Sequence, residues 1–258
     1  MLQSIKYRIS TYQFVFSELM KRDFKKKYKR SILGVFWSML APLFTLLIMR
    51  MIFSRFFGRA TPYYTTYLFT GIIVMTYYSQ TTNSGMGSLV NNAGIFSKVN
   101  VPKWLFLFAN IASSSINFFL TLALYFIFVL IDGLSFHLNY IFLLFPLLCL
   151  FLMVTGISMI LSALYVFFKD VQYLYGVFLT ALNYCTPVFY TPNIVGKLSW
   201  VFYLNPLYLV INYMREIVIF SRIPSLSYHI GCFVYSLTFL VVGFIIYKKY
   251  NYKFLYYI

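Results

Sequence analysis

The sequence predicts an all-α integral membrane protein: six transmembrane helices, an N-terminal amphipathic interface helix and short external re-entrant helices between spans five and six. Its residues are 61% hydrophobic and only 10% charged, whereas soluble domains contain about 25% charged residues. Lysines and arginines cluster at the chain start and between apolar segments, as the positive-inside rule describes. Residues 104–131 carry no charge and, as a helix, are long enough to cross a hydrocarbon core of about 30 Å. These three observations indicate a polytopic protein.

Residues 10–30 form the predicted interface helix. Aromatic and apolar residues recur in it every four positions, at Tyr12, Phe16, Met20, Phe24 and Tyr28. Its basic residues lie mostly off that stripe, which is typical of a helix lying in the plane of the membrane interface. Two partners remain open for the basic face, acidic lipid headgroups or an acidic protein.

Charge-poor segments place the six spans. They are predicted at residues 32–53, 63–83, 104–131, 140–168, 171–184 and 228–247. Pro42 lies inside the first span, where neighbouring helices can satisfy the backbone group that it frees. An even number of spans puts both termini on one side, and 15 of the 21 basic residues fall there. The asymmetry predicts cytoplasmic termini.

Two spans carry polar stripes at helical spacing. The third has Asn110, Ser114, Asn117 and Thr121, and the second has Tyr63, Tyr67, Thr70, Tyr77 and Thr81. Polar faces of membrane helices contact other helices or a water-filled path. Both interpretations stay open for the third span. For the second, the alternatives are an interfacial aromatic belt and a surface on which sugar rings stack.

The connections differ from the spans. Residues 85–103 predict a cytoplasmic loop with a short helix at 88–97. Residues 185–227 are apolar but are interrupted by prolines, glycine and charges. Irregular backbone at membrane depth survives only under protein or beside a water-filled cavity, so re-entrant or interfacial helices are expected on the outer side.

The chain offers little chemistry of its own. It has five acidic residues, none predicted near a bilayer centre, which disfavours ion-coupled transport. It has no Gly-rich phosphate loop ending in Lys-Ser or Lys-Thr. Cys149, Cys185 and Cys232 show no disulfide or metal spacing. We therefore expect no metal or cofactor on this chain, no nucleic-acid partner, and a partner protein as the source of energy for any active transport.

Three segments resemble the transmembrane subunit of ABC-2-type exporters, specifically the polysaccharide-export branch. They are Arg22-Asp23-Phe24 with Tyr28 to Gly34, Trp37 and Pro42; Asn91 to Val99 with Pro102; and Thr186 to Tyr190 with Leu204 to Leu207 and Arg215. The resemblance covers nearly the whole chain in order. It implies that residues 1–258 form one transmembrane domain, with an interface helix at 10–30, a coupling segment at 88–98 and an external gate segment at 186–227.

The resemblance also implies a homodimer with two cytoplasmic ATPase subunits, which bind the ATP and Mg²⁺. The cargo would be a lipid-linked polysaccharide moved across the cytoplasmic membrane: O antigen first, a step of lipopolysaccharide biosynthesis, or else capsule or teichoic acid. Implied coupling residues are Arg22, Asp23, Asn91, Asn92 and Lys98. Implied channel residues are Phe36, Trp37, Tyr63, Tyr67, Tyr77, Thr81, Tyr173 and Tyr184. Implied gate residues are Pro187, Tyr190, Asn205, Pro206 and Arg215.

Two alternatives remain. A drug or lipid exporter of the same superfamily would need a closed hydrophobic pocket instead of a long hydrated channel. A membrane enzyme acting on lipid-linked sugars would use Arg215 and Glu216 first, because they are the adjacent charged pair of the external segment. It would turn over substrate as the purified chain alone.

Overall fold

The computed structural model describes residues 2–29, 31–58, 61–96, 98 and 101–257, with all their side chains except those of residues 2–9, 96, 195 and 255. Arg30 of the predicted interface helix, Ser97 of the predicted coupling segment and Val99 of the second family-like segment lie outside the described residues. Every regular element in the described ranges is helical.

Ten α-helices follow one another along the described chain. They are α1 (Leu2–Tyr28), α2 (Trp37–Phe57), α3 (Tyr64–Met86), α4 (Ala93–Phe96), α5 (Trp104–Ile131), α6 (Leu144–Phe167), α7 (Val171–Cys185), α8 (Pro206–Val218), α9 (Leu226–Tyr250) and α10 (Phe254–Tyr257). Four 3-10 helices connect them, at Gly34–Phe36, Val90–Asn92, Leu138–Leu143 and Pro192–Leu204. Helices therefore occupy all six positions where the sequence predicts spans.

Four helical segments of the described chain are long and apolar enough to cross a membrane. They are Gly34–Phe57, Trp104–Ile131, Leu138–Phe167 and Leu226–Tyr250, which correspond to the first, third, fourth and sixth predicted spans. The second and fifth predicted spans are α3 and α7. α3 has 23 residues, many of them Thr, Tyr, Ser and Asn. α7 has 15 residues, or about 22 Å of helix.

α3 is the most enclosed helix of the bundle. Eighteen of its 23 residues are buried, and it packs against α2, α5, α6, α7 and α8. Its hydroxyls bond to neighbouring helices: Thr70 Oγ1 lies 2.9 Å from Tyr125 Oη, and Tyr175 Oη donates to Thr82 Oγ1 at 2.7 Å. Such bonds let a polar helix sit among apolar ones.

α6 and α9 approach each other closely at two glycines. A Cβ placed on Gly156 would overlap the backbone of Phe239 and Leu240, and one on Gly243 would overlap the Gly156 carbonyl. Small residues allow this approach, as in many membrane helix pairs. Ser236 Oγ adds an interhelical bond to the Cys149 carbonyl at 2.8 Å.

α1 lies against α5. Leu19 is buried with Phe106 and Ala109, and Phe16 and Met20 pack beside them. The apolar stripe predicted for this helix is thus a packing face, and part of it is directed at a neighbouring helix. Lys21, Lys25, Lys26, Lys27 and Lys29 are exposed.

Candidate functional site

Three of the five predicted coupling residues form one hydrogen-bonded cluster. The guanidinium of Arg22 donates to Asp23 Oδ1 from Nε at 2.9 Å and from Nη2 at 2.6 Å. Nη2 also donates to Asn92 Oδ1 at 2.7 Å. Asn92 is held in turn by a bond from its Nδ2 to the Ser88 carbonyl at 2.7 Å. The cluster joins the end of α1 to the segment that follows α3.

The other two predicted coupling residues lie apart from that cluster. Asn91 is exposed and lines a cavity that Arg22 and Asp23 also line. Lys98 is exposed, and its backbone N–H bonds to the Ile95 carbonyl. The five residues thus lie on α1 or in the segment that follows α3, but a direct contact network joins only three of them in the described structure.

The cavity beside this cluster lies between α1, α3 and α5 and measures about 800 Å³. We call it the α1–α3–α5 cavity. Its lining is polar and comprises Arg22, Asp23, Lys26, Lys27, Gln80, Asn83, Ser84, Ser88, Asn91, Asn92, Asn110, Ser113 and Ser114. Three cations face one carboxylate in that set, so the cavity is electropositive. Lys27 as a whole residue is exposed, but partial desolvation of its ammonium group lowers the pKa of Lys27 from its ordinary value.

Sequence reasoning missed the side of this cavity formed by α3. Gln80, Asn83 and Ser84 fall on one helical face at three- and four-residue spacing, which is a signal that polar residues share a surface. Lys26 belongs to the basic face that the sequence predicts for residues 10–30. That Lys26 and Lys27 open onto a cavity depends on where α1 crosses α5, which no local pattern reveals.

The polar stripe of α5 serves two purposes. Asn110 and Ser114 line the α1–α3–α5 cavity. Asn117 Oδ1 accepts a bond from Tyr28 Oη at 2.5 Å, and Thr121 Oγ1 donates to the Ser38 carbonyl at 3.1 Å. One part of the stripe therefore faces open space, and the other bonds α5 to neighbouring segments.

Five of the eight predicted channel residues are exposed on the surface of the single chain. Phe36 is 67% exposed, Trp37 48%, Tyr63 44%, Tyr173 74% and Tyr184 64%. They belong to α2, α7 and the residues immediately before α2 and α3. Neighbouring described residues of the same chain therefore leave much of each of these side chains uncovered.

The remaining three predicted channel residues lie inside the chain, on α3. Tyr67 Oη donates to the Tyr190 carbonyl at 2.9 Å, and Tyr77 Oη lies 2.9 Å from Ser115 Oγ. Thr81 Oγ1 is buried without a hydrogen-bond partner among the described residues and lines a small cavity of about 20 Å³. The Tyr67 and Tyr77 hydroxyls thus have partners in the same chain, and the channel roles stay predictions.

The predicted gate residues are centred on Arg215. This side chain is 1% exposed, and its guanidinium carbon lies 3.4 Å from the centroid of the Tyr67 ring. It donates to the carbonyls of Pro187 at 2.8 Å, Val188 at 2.9 Å and Tyr67 at 3.0 Å. No carboxylate of the described residues is in salt-bridge contact with it. Backbone carbonyls and an aromatic face take the place of a counter-ion.

Asn205 ties the beginning of α8 to Thr186, the residue that follows α7. Its Oδ1 caps α8 by accepting from the backbone N–H of Leu207 at 3.0 Å, with Pro206 as the first helical residue. Its Nδ2 donates to Thr186 Oγ1 at 2.8 Å. The structure thus brings all five predicted gate residues into one region, since Tyr190 is tied to Tyr67. The occupied guanidinium of Arg215 offers no acid–base pair with Glu216.

The chain matches a known family. Residues 15–219 match the sequence model described as ABC-2 type transporter, which is most of the 258 residues.

Curated proteins with similar sequences come from two organisms. A protein of Klebsiella pneumoniae named O-antigen export system permease protein RfbA is 26% identical over 237 residues, covering 90% of each chain. A protein of the same name from Myxococcus xanthus is 22% identical over 221 residues, covering 83% of this chain and 84% of its own.

Proposed function

Because this chain belongs to the ABC-2 type transporter family, we propose that it is the channel-forming permease of an ATP-driven exporter of lipid-linked polysaccharide. O antigen is the proposed cargo, and the cytoplasmic membrane is the proposed location. The observation that carries the proposal is the similarity, over 90% of the chain, to a permease whose name states O-antigen export. The scarcity of ionisable groups in the spans supports an external energy source.

The proposed topology has six spans and cytoplasmic termini, with residues 1–258 as one transmembrane domain. α3 has no charged residue, and at about 35 Å it is long enough to cross the membrane. Neighbouring helices enclose its polar groups. α7 is shorter, and we propose that it spans together with the covered segment that follows it. The 3-10 helix Pro192–Leu204 and α8 would then lie on the outer side as gate helices.

The proposed assembly is a homodimer with the cargo path between its two copies. Only Pro42 and Leu46 are buried among the 21 residues of α2, and only Tyr175 among the 15 of α7. Phe36, Trp37, Tyr173 and Tyr184 lie on or beside these open helices. In a dimer they would line a path whose aromatic rings stack on sugars.

The proposed contact with two ATPase subunits lies at the α1 end. The Arg22–Asp23–Asn92 cluster would transmit motion, because it ties α1 to the segment after α3, and Asn91 and Lys98 flank it. ATP and Mg²⁺ would bind to the partner, which leaves this chain without a cofactor and without enzymatic turnover of its own.

Reconstitution tests the proposal directly. The permease is placed with its ATPase in proteoliposomes that carry lipid-linked O antigen on the ATPase side, and a lectin added to the other side detects export. Export is expected with ATP, and none with an ATPase that binds but does not hydrolyse ATP. The proposal would fail if the permease alone moved or modified the glycolipid, or if the full complex with ATP moved none.

A further inference from the structure

The floor of the α1–α3–α5 cavity holds polar groups without partners. Ser88 is 2% exposed, and its Oγ has no hydrogen-bond partner among the described residues. Asn110 is partly exposed, and its buried Oδ1 likewise has no hydrogen-bond partner among the described residues. Both residues line the cavity. Buried polar atoms are normally paired, so two unpaired ones on residues that line the same cavity indicate a ligand that bears hydroxyl or amide groups.

On the α1 wall of the same cavity, two lysines carry positive charge that no salt bridge with a described residue neutralises. Arg22 is occupied by Asp23 and Asn92. Lys27 Nζ lies 3.5 Å from Gln80 Oε1 and 5.9 Å from the centroid of the Tyr28 ring. Neither Lys26 nor Lys27 forms a salt bridge with a described residue. Two adjacent ammonium groups facing a concave polar surface favour a phosphate or diphosphate group.

The α1–α3–α5 cavity shares two lining residues with a second cavity that reaches α2. Lys27 and Gln80 line this second cavity, of about 240 Å³, together with Trp37 and Ala41 of the open helix α2. A headgroup in the first cavity can therefore stay joined to an apolar tail along α2. This arrangement fits a lipid-linked ligand better than a soluble one.

We propose that the α1–α3–α5 cavity binds the phosphate-linked first sugar of the lipid carrier before export. Lys26 and Lys27 contact the phosphate oxygens, while Asn110 and Ser88 bond to sugar hydroxyls. This inference rests on the proposed function and identifies within one chain a headgroup site separate from the path between copies.

An acidic loop of the ATPase is the rival occupant. The position of Asn110 disfavours such a loop, because Asn110 lies six residues into α5, about 9 Å from the beginning of that helix. A small headgroup reaches this depth without unfolding a partner loop. The experiment therefore includes a measurement of ATPase association.

Binding is measured on the permease–ATPase complex in phosphatidylcholine nanodiscs, with farnesyl-diphospho-N-acetylglucosamine as probe. The double variant K26Q/K27Q is expected to weaken binding by about tenfold or more, since two charge-assisted contacts are lost. The matched control is K25Q/K29Q, which removes the same charge from α1 at positions that do not line the cavity, and it is expected to bind like the wild type. N110A is expected to weaken this probe but not farnesyl diphosphate.

Several outcomes would overturn the site. One is equal loss of binding in the two double variants. Another is competition by inorganic pyrophosphate or phosphatidylglycerol as strong as that of the unlabelled probe, which would indicate a general anion site. A third is release of the ATPase from K26Q/K27Q with probe binding retained, which would make this surface a docking site.

Export by the same complexes distinguishes failure of the headgroup site from failure of the proposed function. If the wild type exports and K26Q/K27Q binds and exports equally well, the headgroup site is wrong and the proposed function stands. If the wild type exports no lipid-linked polysaccharide, the proposed function itself fails, whatever the probe does.

Discussion

The guanidinium of Arg215 stacks on the ring of Tyr67, with 3.4 Å between the guanidinium carbon and the ring centroid. The same side chain donates to the Tyr67 carbonyl and to two carbonyls of residues 187–188. One residue of α8 thereby fixes both α3 and the segment after α7. The geometry of this end of the molecule depends on that contact.

Replacing Arg215 by methionine is expected to lower the free energy of unfolding by about 3 kcal/mol or more, because three buried carbonyls lose their donor. Thermal denaturation in detergent micelles measures the loss. R222M, at an exposed arginine, is the control and is expected to change stability little. Equal stability of R215M and the wild type would contradict the assigned role.

Asp132 caps α3 from the end of α5. Its Oδ2 accepts from the backbone N–H of Thr66 at 2.9 Å and from Thr66 Oγ1 at 2.7 Å. The variant D132A is expected to cost about 1 kcal/mol, since it removes a carboxylate from a helix N-terminus. Asp170 precedes α7 without a capping bond from its side chain, so D170A should have a much smaller effect in the same denaturation assay.

A methyl group at Gly156 or Gly243 should separate α6 from α9. Each added Cβ meets backbone rather than a movable side chain, and we expect a loss of about 2 kcal/mol or more from overpacking. G94A is the control, since nothing lies within 4 Å of its new Cβ. Thermal denaturation of the three variants measures the effect. Equal unfolding midpoints would show that α6 and α9 can move apart without loss of stability.

The Tyr77–Ser115 hydrogen bond can be separated from a channel role by a double-mutant cycle. Y77F and S115A each break the 2.9 Å contact, so their effects on unfolding should be non-additive, with a coupling of about 0.6 kcal/mol. Export rates of the same variants form the second readout. A helix contact alone predicts similar export for both, whereas cargo contact predicts a larger loss for Y77F.

Cysteine cross-linking tests the homodimer. Ile48 on α2 is 57% exposed and Leu148 on α6 is 54% exposed, so the two sites match in accessibility. In a background in which the exposed Cys185 is replaced by serine, oxidised I48C is expected to form a covalent dimer and L148C to remain monomeric on a denaturing gel. The reverse pattern would place the interface elsewhere.

Much of the helical layout could be predicted from local patterns. α5 begins and ends at the predicted residues, because Lys103 and Asp132 bound its uncharged stretch. The predicted end of the second span at residue 83 falls short of Met86, since polar residues near its end read as loop. Composition alone does not establish whether a helix as polar as α3 crosses a membrane. Length and hydropathy identify four candidate spans in the described structure, whereas the sequence predicts six.

The candidate sites were harder to predict because they depend on long-range packing. Spacing identified the tyrosine face of α3, but not that Tyr67 would bond to residue 190 of the same chain. The carbonyl partners of Arg215 come from backbone, which has no sequence signature. Likewise, the position of Lys27 beside Gln80 requires the crossing of α1 over the bundle.

Among the described residues, no carboxylate forms a salt bridge with Arg215, and this determines how the contact responds to a change in pH. Guanidinium stays protonated throughout the physiological range, and peptide oxygens do not titrate there. Under the proposed topology this contact faces the exterior, where acidity varies more than in the cytosol. Acidification that would neutralise a carboxylate leaves such a contact unchanged, so Arg215 keeps α8 joined to α3 in acid surroundings.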